Sequence, residues 1–516
     1  MLGLSNTSAP PEKRTSDEKR FVFLILFGGG IISGLCFLFL QSYLAWISLV
    51  PLFYALEKAN KNQVLWYGAS YGAVTASVLY YWIFPISIRY AGGVTVLTFV
   101  LFLVAVAFFA LSYCIFGAGY RIIRNRARGG ILTGCSAAAF YALLDFLKLK
   151  ILPGIPWVQY SLAHTQAQSL WAIQLASVGG VTLIVFFIVL FNYLLAQFFI
   201  QRQVVFLRLG AGVALLFFGT GFFLSGTNDE AGYDSFKVSI LNENLPAETR
   251  WDDQSGDSLV QVFFRLNGEA AAQKPDLIMW SETAVPWRFE PDDHFVPEVL
   301  KITHPSNADH LLGILTPSSH DPRMVYNSAY HIKGDGRIVS RYDKTILLDF
   351  LEKPFVNSRS LMLPFLNSSV YDNFLPGGRP HPMQSGKARF GVLICNESLT
   401  QDYWHYVDAG ANLLVVMSND AWLDQTPLPQ LHFSITRFLA IATGRDVVIN
   451  SNRGVSGVIH RNGKIEVSEP SHMPRIIDAT AHLSFHAPFY SSVRDFNIIF
   501  YFVVVFIPVF SRRNRL

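Results

Sequence analysis

Apolar residues run for the length of a membrane crossing at several places along this chain, and then the pattern changes. Windows at 21–40, 64–84, 94–119, 131–147, 170–199 and 208–225 reach or nearly reach the roughly 20 apolar residues that a hydrocarbon layer about 30 Å thick requires. The stretch 43–56 is shorter and carries Pro51, so it reads as a steep span or the return arm of a hairpin. A last apolar run, 496–510, gives about eight crossings if the short stretch is counted.

Between 227 and 492 the runs shorten to strand length. Strands are expected at 237–241, 277–280, 311–315, 329–332, 390–394, 413–417, 447–449 and 457–460, all rich in Val, Ile and Leu, as suits strands covered on both faces. Leu259, Val262, Phe263 and Leu266 repeat at helical spacing, which predicts a helix with one buried stripe. Further helices are expected over 399–409 and 429–444. Alternating strands and helices indicate a layered α/β domain. The segment 349–376 is long, weakly periodic and apolar, and it reads as an arm at the membrane surface, with Leu361 and Phe365 in it. Trp251, Trp287 and Phe289 are expected to join it at the interface, where aromatic rings favour sitting.

Composition sharpens this division. Hydrophobic residues make up 51% of the 516 and charged residues 15%, well below the charged share of an ordinary globular protein, so a wholly soluble or disordered chain is excluded. The mean hydropathy is +0.32. A net charge of +4 is too small to suggest a nucleic-acid partner. Where the basic residues sit is more informative. Lys13, Arg14, Lys19 and Arg20, then Lys58 and Lys61, Arg121 to Arg128, Arg202 and Arg512 to Arg515 fall on one side if 43–56 crosses, against Arg89, Lys148 and Lys150 on the other. The bias toward cytoplasmic lysine and arginine then places 1–20 inside, 21–226 as a bundle of about seven spans, 227–492 outside and 493–516 as the closing span.

Cys36, Cys114 and Cys135 lie in apolar runs, leaving Cys395 as the lone thiol of the polar block. No disulfide framework or cysteine zinc site is available there. Cys395, Asn396 and Glu397 follow a strand directly. A nucleophile on such a turn is held exposed, with backbone N–H groups able to face an oxyanion. Trp280, Ser281, Glu282 and Thr283 follow another strand, and a buried carboxylate there can act as general base. Arg341, Tyr342, Asp343 and Lys344 follow a Gly334–Gly336 turn; a lysine near a thiol favours thiolate and stabilises an oxyanion. Each alone reads more readily as a structural cysteine, a capping glutamate or a solvated lysine. Together they supply a nucleophile, a base and a cation.

In that order, Glu, Lys and Cys on the strand ends of an α/β domain resemble the nitrilase superfamily. With the spans around them the chain is similar to the bacterial apolipoprotein N-acyltransferases. The likeness extends to Pro153, Gly154, Ile155, Pro156 and Trp157, to Asn244, Leu245, Pro246 and Trp251, to Glu352, to Ser418 through Trp422, and to Thr443, Gly444 and Arg445. It implies a polytopic α-helical membrane bundle carrying an α/β nitrilase-like αββα sandwich, with Glu282, Lys344 and Cys395 as catalytic triad and Glu352, Glu397 and Asn396 in support. It also implies an acyl chain passed from a phospholipid donor, typically phosphatidylethanolamine, through a Cys thioester to the α-amino group of a diacylated apolipoprotein. The expected setting is the bacterial inner membrane, as a monomer, with the catalytic domain on the periplasmic side and no metal or cofactor. Two departures stand out: Asn396 where the family usually has Tyr, and Ile346, Leu347, Leu348, Asp349, Phe350 and Leu351 before Glu352. A membrane-tethered hydrolase with the same triad and a non-catalytic lipoprotein-binding protein are the competing readings. His432, Arg437 and Arg445 are candidate phosphate ligands, with helix-end and sheet-end pairing the preferred role; Asn419 and Asp420 are expected on the pocket floor.

Overall fold

The computed structural model describes residues 16–90, 95–127, 130–151, 153–155, 160–226, 233–249, 256–288, 294–349, 352–353, 374–470 and 473–510. Trp251, Phe289, Leu361, Phe365, Pro156, Trp157 and most of the apolar segment 349–376 lie outside these residues; Trp287 is described only as strand backbone.

Seven helices among the described residues are long and apolar enough to cross a membrane: Asp17–Phe39, Lys61–Arg89, Thr98–Ala127, Gly130–Ile151, Ala176–Gln201, Val204–Gly226 and Phe489–Ile507. The short stretch with Pro51 forms two helices, Ser42–Ser48 and Val50–Lys58. Where they meet, Asn192 satisfies the broken backbone: its amide donates to Ala45 O and its carbonyl accepts from Leu49 N, both at 2.9 Å. The pair still traverses the bundle. Glu57 at its far end meets Arg124 and Tyr120 near the end of Thr98–Ala127, whereas Arg89, at the opposite end, pairs with Glu248 and Asp424 of the polar block at 2.7 Å. Helix contact is close. A Cβ on Gly68 would lie 2.3 Å from Tyr113 O, which is the small-residue packing that lipid-embedded helices use.

The polar block contains thirteen described strands in two sheets. They are β1 (Asp234–Asn242), β2 (Leu277–Met279), β3 (Val285–Arg288), β4 (Asp309–Pro317), β5 (Val325–Ile332), β6 (Ile338–Asp343), β7 (Met383–Ser385), β8 (Ala388–Ile394), β9 (Leu413–Asn419), β10 (Val447–Asn452), β11 (Val455–Ile459), β12 (Ile465–Pro470) and β13 (Arg475–Leu483). One sheet runs β13-β1-β2-β4-β5-β6, with β3 beside β4, and the other β12-β11-β10-β9-β8-β7. In each, three neighbouring strands are parallel: β1, β2 and β4 in the first, β8, β9 and β10 in the second. Facing side chains of the two sheets share one core, from Val238, Met279 and Leu311 to Val392, Val415 and Val448. Helices Gly256–Ala272 and Phe295–Thr303 cover the outer face of the first sheet through Phe263, Leu266 and Phe295.

The outer face of the second sheet is covered by Leu428–Thr443. Phe433 and Leu439 of this helix cluster with buried side chains of the sandwich, while Leu431, Ile435 and Phe438 pack with the bundle. It is therefore apolar on both faces, and it joins the two halves.

Two local expectations are corrected. The helix expected over 399–409 is a 3-10 turn, Cys395–Leu399, followed by a short helix, Trp404–Asp408. Thr400 breaks the run: its hydroxyl bonds Glu397 O at 2.8 Å and its backbone is extended, the usual competition of a threonine hydroxyl with helix. Five strands went unanticipated (β3, β6, β7, β12 and β13), and they are short, at a sheet edge or polar along one side. β6, for example, exposes Ile338 and Val339 and so lacks the buried-strand pattern.

Candidate active site

The parallel strands of both sheets end at one place. Glu282 follows β2, Cys395 follows β8 and Asn419 ends β9, while Lys344 follows β6 at the sheet edge. Cys395 and Thr283 both have positive φ, +54° and +44°, a conformation that costs a residue with a Cβ on the order of 1 kcal/mol or more and persists only where surroundings impose it. These turns lift the side chains off the strand ends.

Lys344 is fully buried. Its Nζ lies 3.4 Å from Glu282 Oε1 and 2.9 Å from Glu352 Oε2. Asn327 on β5 donates to the same two carboxylates, at 2.7 and 3.2 Å. Asn419 N donates to Glu282 Oε2 at 2.9 Å, and Leu348 N to Glu352 Oε2 at 2.8 Å. Both carboxylates are thus held by three groups each. Burial alone would strip the lysine of its proton, but Glu352 and then Glu282 reverse that and push its affinity for the proton well above the ordinary range. Burial raises Glu282; Lys344 opposes this and the Glu352 charge adds to it. Burial, reinforced by the Glu282 charge and opposed by Lys344, holds the Cys395 thiol well above its usual value. This environment favours the protonated thiol, so a sulfur used as a nucleophile here would need a base beside it.

Glu397 serves the turn itself. Its Oε2 accepts from Ile394 N at 2.8 Å, and its Oε1 accepts from Tyr342 Oη and Thr345 N at 2.7 Å, with Thr345 Oγ1 at 2.9 Å and Ile346 N at 3.1 Å. One carboxylate therefore ties the lysine loop to the cysteine turn. Asn396 reaches the same loop through Ile346 O at 3.1 Å.

Cys395 opens into a cavity of about 50 Å³ at the seam between the halves. Tyr160 and His164 line it from the bundle, and Leu399, Leu428, Leu431 and Ile435 make it largely apolar. Asp420 and His432 also line it. Arg437 and Arg445 do not. Arg437 donates to Gly463 O at 2.9 Å, and Arg445 to Ala411 O at 2.7 Å, so both close backbone ends, the preferred expectation for them. Asn327 and Thr345 contact the cluster without having been anticipated from the sequence, since each lies in or beside a strand with no motif of its own, while Tyr342, part of the lysine motif, proves to bond Glu397. Among the described residues, one group has metal-ligand chemistry: Asp446, His460 and His482. It sits at the start of β10, the opposite end of the sheet from Cys395, and its carboxylate already accepts from His460 Nδ1 and Arg461 N at 2.7 Å.

Two family models cover the two halves. Residues 29–194 match the apolipoprotein N-acyltransferase N-terminal domain, and residues 246–483 match the carbon-nitrogen hydrolases. An apolipoprotein N-acyltransferase of Geobacter metallireducens is 27% identical over 465 residues, 88% of each chain. The chain belongs to the apolipoprotein N-acyltransferases. Another relative of that name, from Gloeobacter violaceus, is 26% identical over 430 residues, covering 82% of this chain and 80% of its own. The carbon-nitrogen hydrolase of Helicobacter pylori G27 aligns with 48% of this chain and 89% of its own, at 14% identity and a TM-score of 0.35. Membership in this family makes the chain a multi-pass membrane acyltransferase, with a lipoprotein acceptor and a nitrilase-like domain on a helical bundle.

Proposed function

We propose that this acyltransferase moves a fatty acyl chain from a phospholipid to the α-amino group of a diacylglyceryl-cysteine at a lipoprotein N-terminus, through a thioester on Cys395. The observation that carries this reading is the buried Lys344 clamped between Glu282 and Glu352 at the strand ends beside the thiol. Glu282 takes the Sγ proton, and Sγ attacks the ester carbonyl while Lys344 offsets the oxyanion charge. The C–O bond breaks, and the lysophospholipid alkoxide leaves with the proton from Glu282. In the second half the amine nitrogen attacks the thioester carbonyl, the C–S bond breaks, and the amine proton returns through Glu282 to sulfur. A thioester retains the acyl-transfer potential that an amide requires.

Glu352 and Glu397 support the triad by holding Lys344 and the Cys395 turn. Asn396 takes the place of the family's tyrosine and holds the Ile346 loop. The apolar cavity at the seam supports a lipid donor that enters from the bilayer. The interfacial arm 349–376, with Leu361 and Phe365, and the aromatic group of Trp251, Trp287 and Phe289 are read as the substrate approach. The pairing of Arg89 with the sandwich, opposite the Arg124 end of the bundle, supports a catalytic domain outside the bacterial inner membrane, facing the periplasm. All three triad residues come from one chain, which supports a working monomer.

The test is incubation of the detergent-purified protein with phosphatidylethanolamine and a synthetic diacylated lipopeptide. The lipopeptide should gain the mass of one acyl chain, with lysophospholipid formed in equal amount. Release of free fatty acid with an unchanged lipopeptide would replace transfer with hydrolysis.

A further inference from the structure

A second chain of side chains faces the same cavity and has no part in the triad chemistry. His432, on Leu428–Thr443, lines the cavity with Cys395 and Asp420. Its Nε2 lies 2.7 Å from Ser398 Oγ, and its Nδ1 lies 3.6 Å from Asp420 Oδ2. Ser398 Oγ is also 2.9 Å from the carbonyl oxygen of Cys395. Asp420 is anchored in turn by Ser418 Oγ at 3.1 Å and Ser451 Oγ at 2.8 Å. Three segments of the sandwich thus converge, through one hydroxyl, on the peptide that carries the nucleophile.

Counting protons fixes the direction of this chain. A carbonyl only accepts, so the bond to Cys395 O uses the single hydroxyl hydrogen of Ser398. His432 must then give Nε2–H to the hydroxyl oxygen, and the Asp420 carboxylate faces the ring's other nitrogen. Burial would raise the Asp420 carboxyl, but the His432 ring 3.6 Å away, with the hydroxyls of Ser451 and Ser418, holds it below the ordinary range as an anion. The anchor at the far end is therefore a fixed negative charge. At the near end is a cysteine at φ +54°, a conformation that its neighbours must impose.

We propose that His432 is a positioning residue for acyl transfer: through Ser398 it holds the Cys395 peptide in its left-handed turn and aims the sulfur at the acyl carbonyl. This rests on the reading of Cys395 as nucleophile. A nucleophile displaced by about 1 Å can lose on the order of 100-fold in rate without losing its substrate. The effect belongs on the rate of acylation at saturating lipid, and the lipid concentration giving half the maximal rate should stay the same.

Single-turnover acylation by phosphatidylethanolamine, followed by intact mass, tests this in the full-length protein. His432→Leu should acylate between about 10-fold and 100-fold more slowly at saturating lipid. His432→Gln keeps an N–H for Ser398 and should recover most of that loss. Ser398→Ala should fall with the leucine variant, and Ser398→Thr should recover with the glutamine one. Each variant is first matched to the parent in thermal midpoint, and Ser398→Ala, which removes one oxygen, stands in if the leucine variant fails to fold. Equal rates in the parent, His432→Leu and Ser398→Ala would overturn the proposal, as would equal losses in His432→Leu and His432→Gln. A parent that forms no adduct at all would instead remove Cys395 as nucleophile.

Discussion

The two halves of this chain put the same kinds of side chain on opposite sides. In the bundle, Leu24, Leu103, Leu215 and Phe223 face outward, while Asn192, Gln166 and Ser136 are fully buried. In the sandwich, Val238, Met279, Val415 and Val448 are inside, and outward-facing large apolar residues are few, with Ile338 and Val339 among them. The difference lies in the solvent each half was shaped for, since lipid imposes no penalty on exposed leucine and water does. The sandwich departs from its own rule most sharply at the candidate site. It buries Lys344 with Glu282 and Glu352, and buried charge of this kind is tolerated where each member is paired.

Breaking that cluster should produce the largest effect. Lys344→Met leaves two carboxylates facing each other with no cation and removes the charge proposed to offset the oxyanion. Transfer should fall by about 10³-fold, or about 4 kcal/mol, measured as lipopeptide acylation. Wild-type rates in that variant would reduce the cluster to a structural feature.

Another buried carboxyl in the sandwich, Glu243, stands beside the Glu282 turn and can be tested by pH. Its Oε1 accepts from Ser281 N at 3.2 Å, and burial, only partly offset by its backbone hydrogen bonds, pushes its pKa up to about 7. A carboxyl raised on folding contributes stability below its unfolded value, near 4.3, and loses it as pH climbs through the folded one. The full loss is about 4 kcal/mol, since each pKa unit corresponds to about 1.4 kcal/mol. Glu243→Gln should therefore match the parent at pH 4 and outlast it increasingly from pH 5 to 8. Thermal midpoints in the same detergent would show the gap, and parallel curves would refute it.

The comparison of solvents is tested by one substitution made twice. Leu215→Arg, at the middle of Val204–Gly226 and facing outward, should cost about 3 kcal/mol of insertion free energy. Ile338→Arg, equally outward on β6, should cost about 0.5 kcal/mol or less. Similar losses of folded protein in native membranes would mean that the two surfaces meet the same solvent.

Most of the bundle was legible because period and length act within one segment. The strand-end positions of Glu282 and Cys395 were legible for a related reason: each directly follows a run of buried strand residues. Asn327 was not, because its place between Glu282 and Glu352 depends on β5 lying beside β4 and on the lysine loop folding back. The Ser398 contact with His432 was hidden in the same way, since it joins a turn to a helix more than 30 residues later. The expected helix at 399–409 failed because Thr400 satisfies Glu397 O with its side chain, a choice that periodicity does not record.

The central claim is that the Cys395 sulfur carries the acyl chain between donor and acceptor, and intact mass of the purified protein after incubation with phosphatidylethanolamine alone measures it directly. The expected result is a gain of one acyl chain, removed by hydroxylamine, mapped to Cys395 and missing in Cys395→Ala. An acyl group on another residue, or full transfer to lipopeptide by the Cys395→Ala protein, would contradict it.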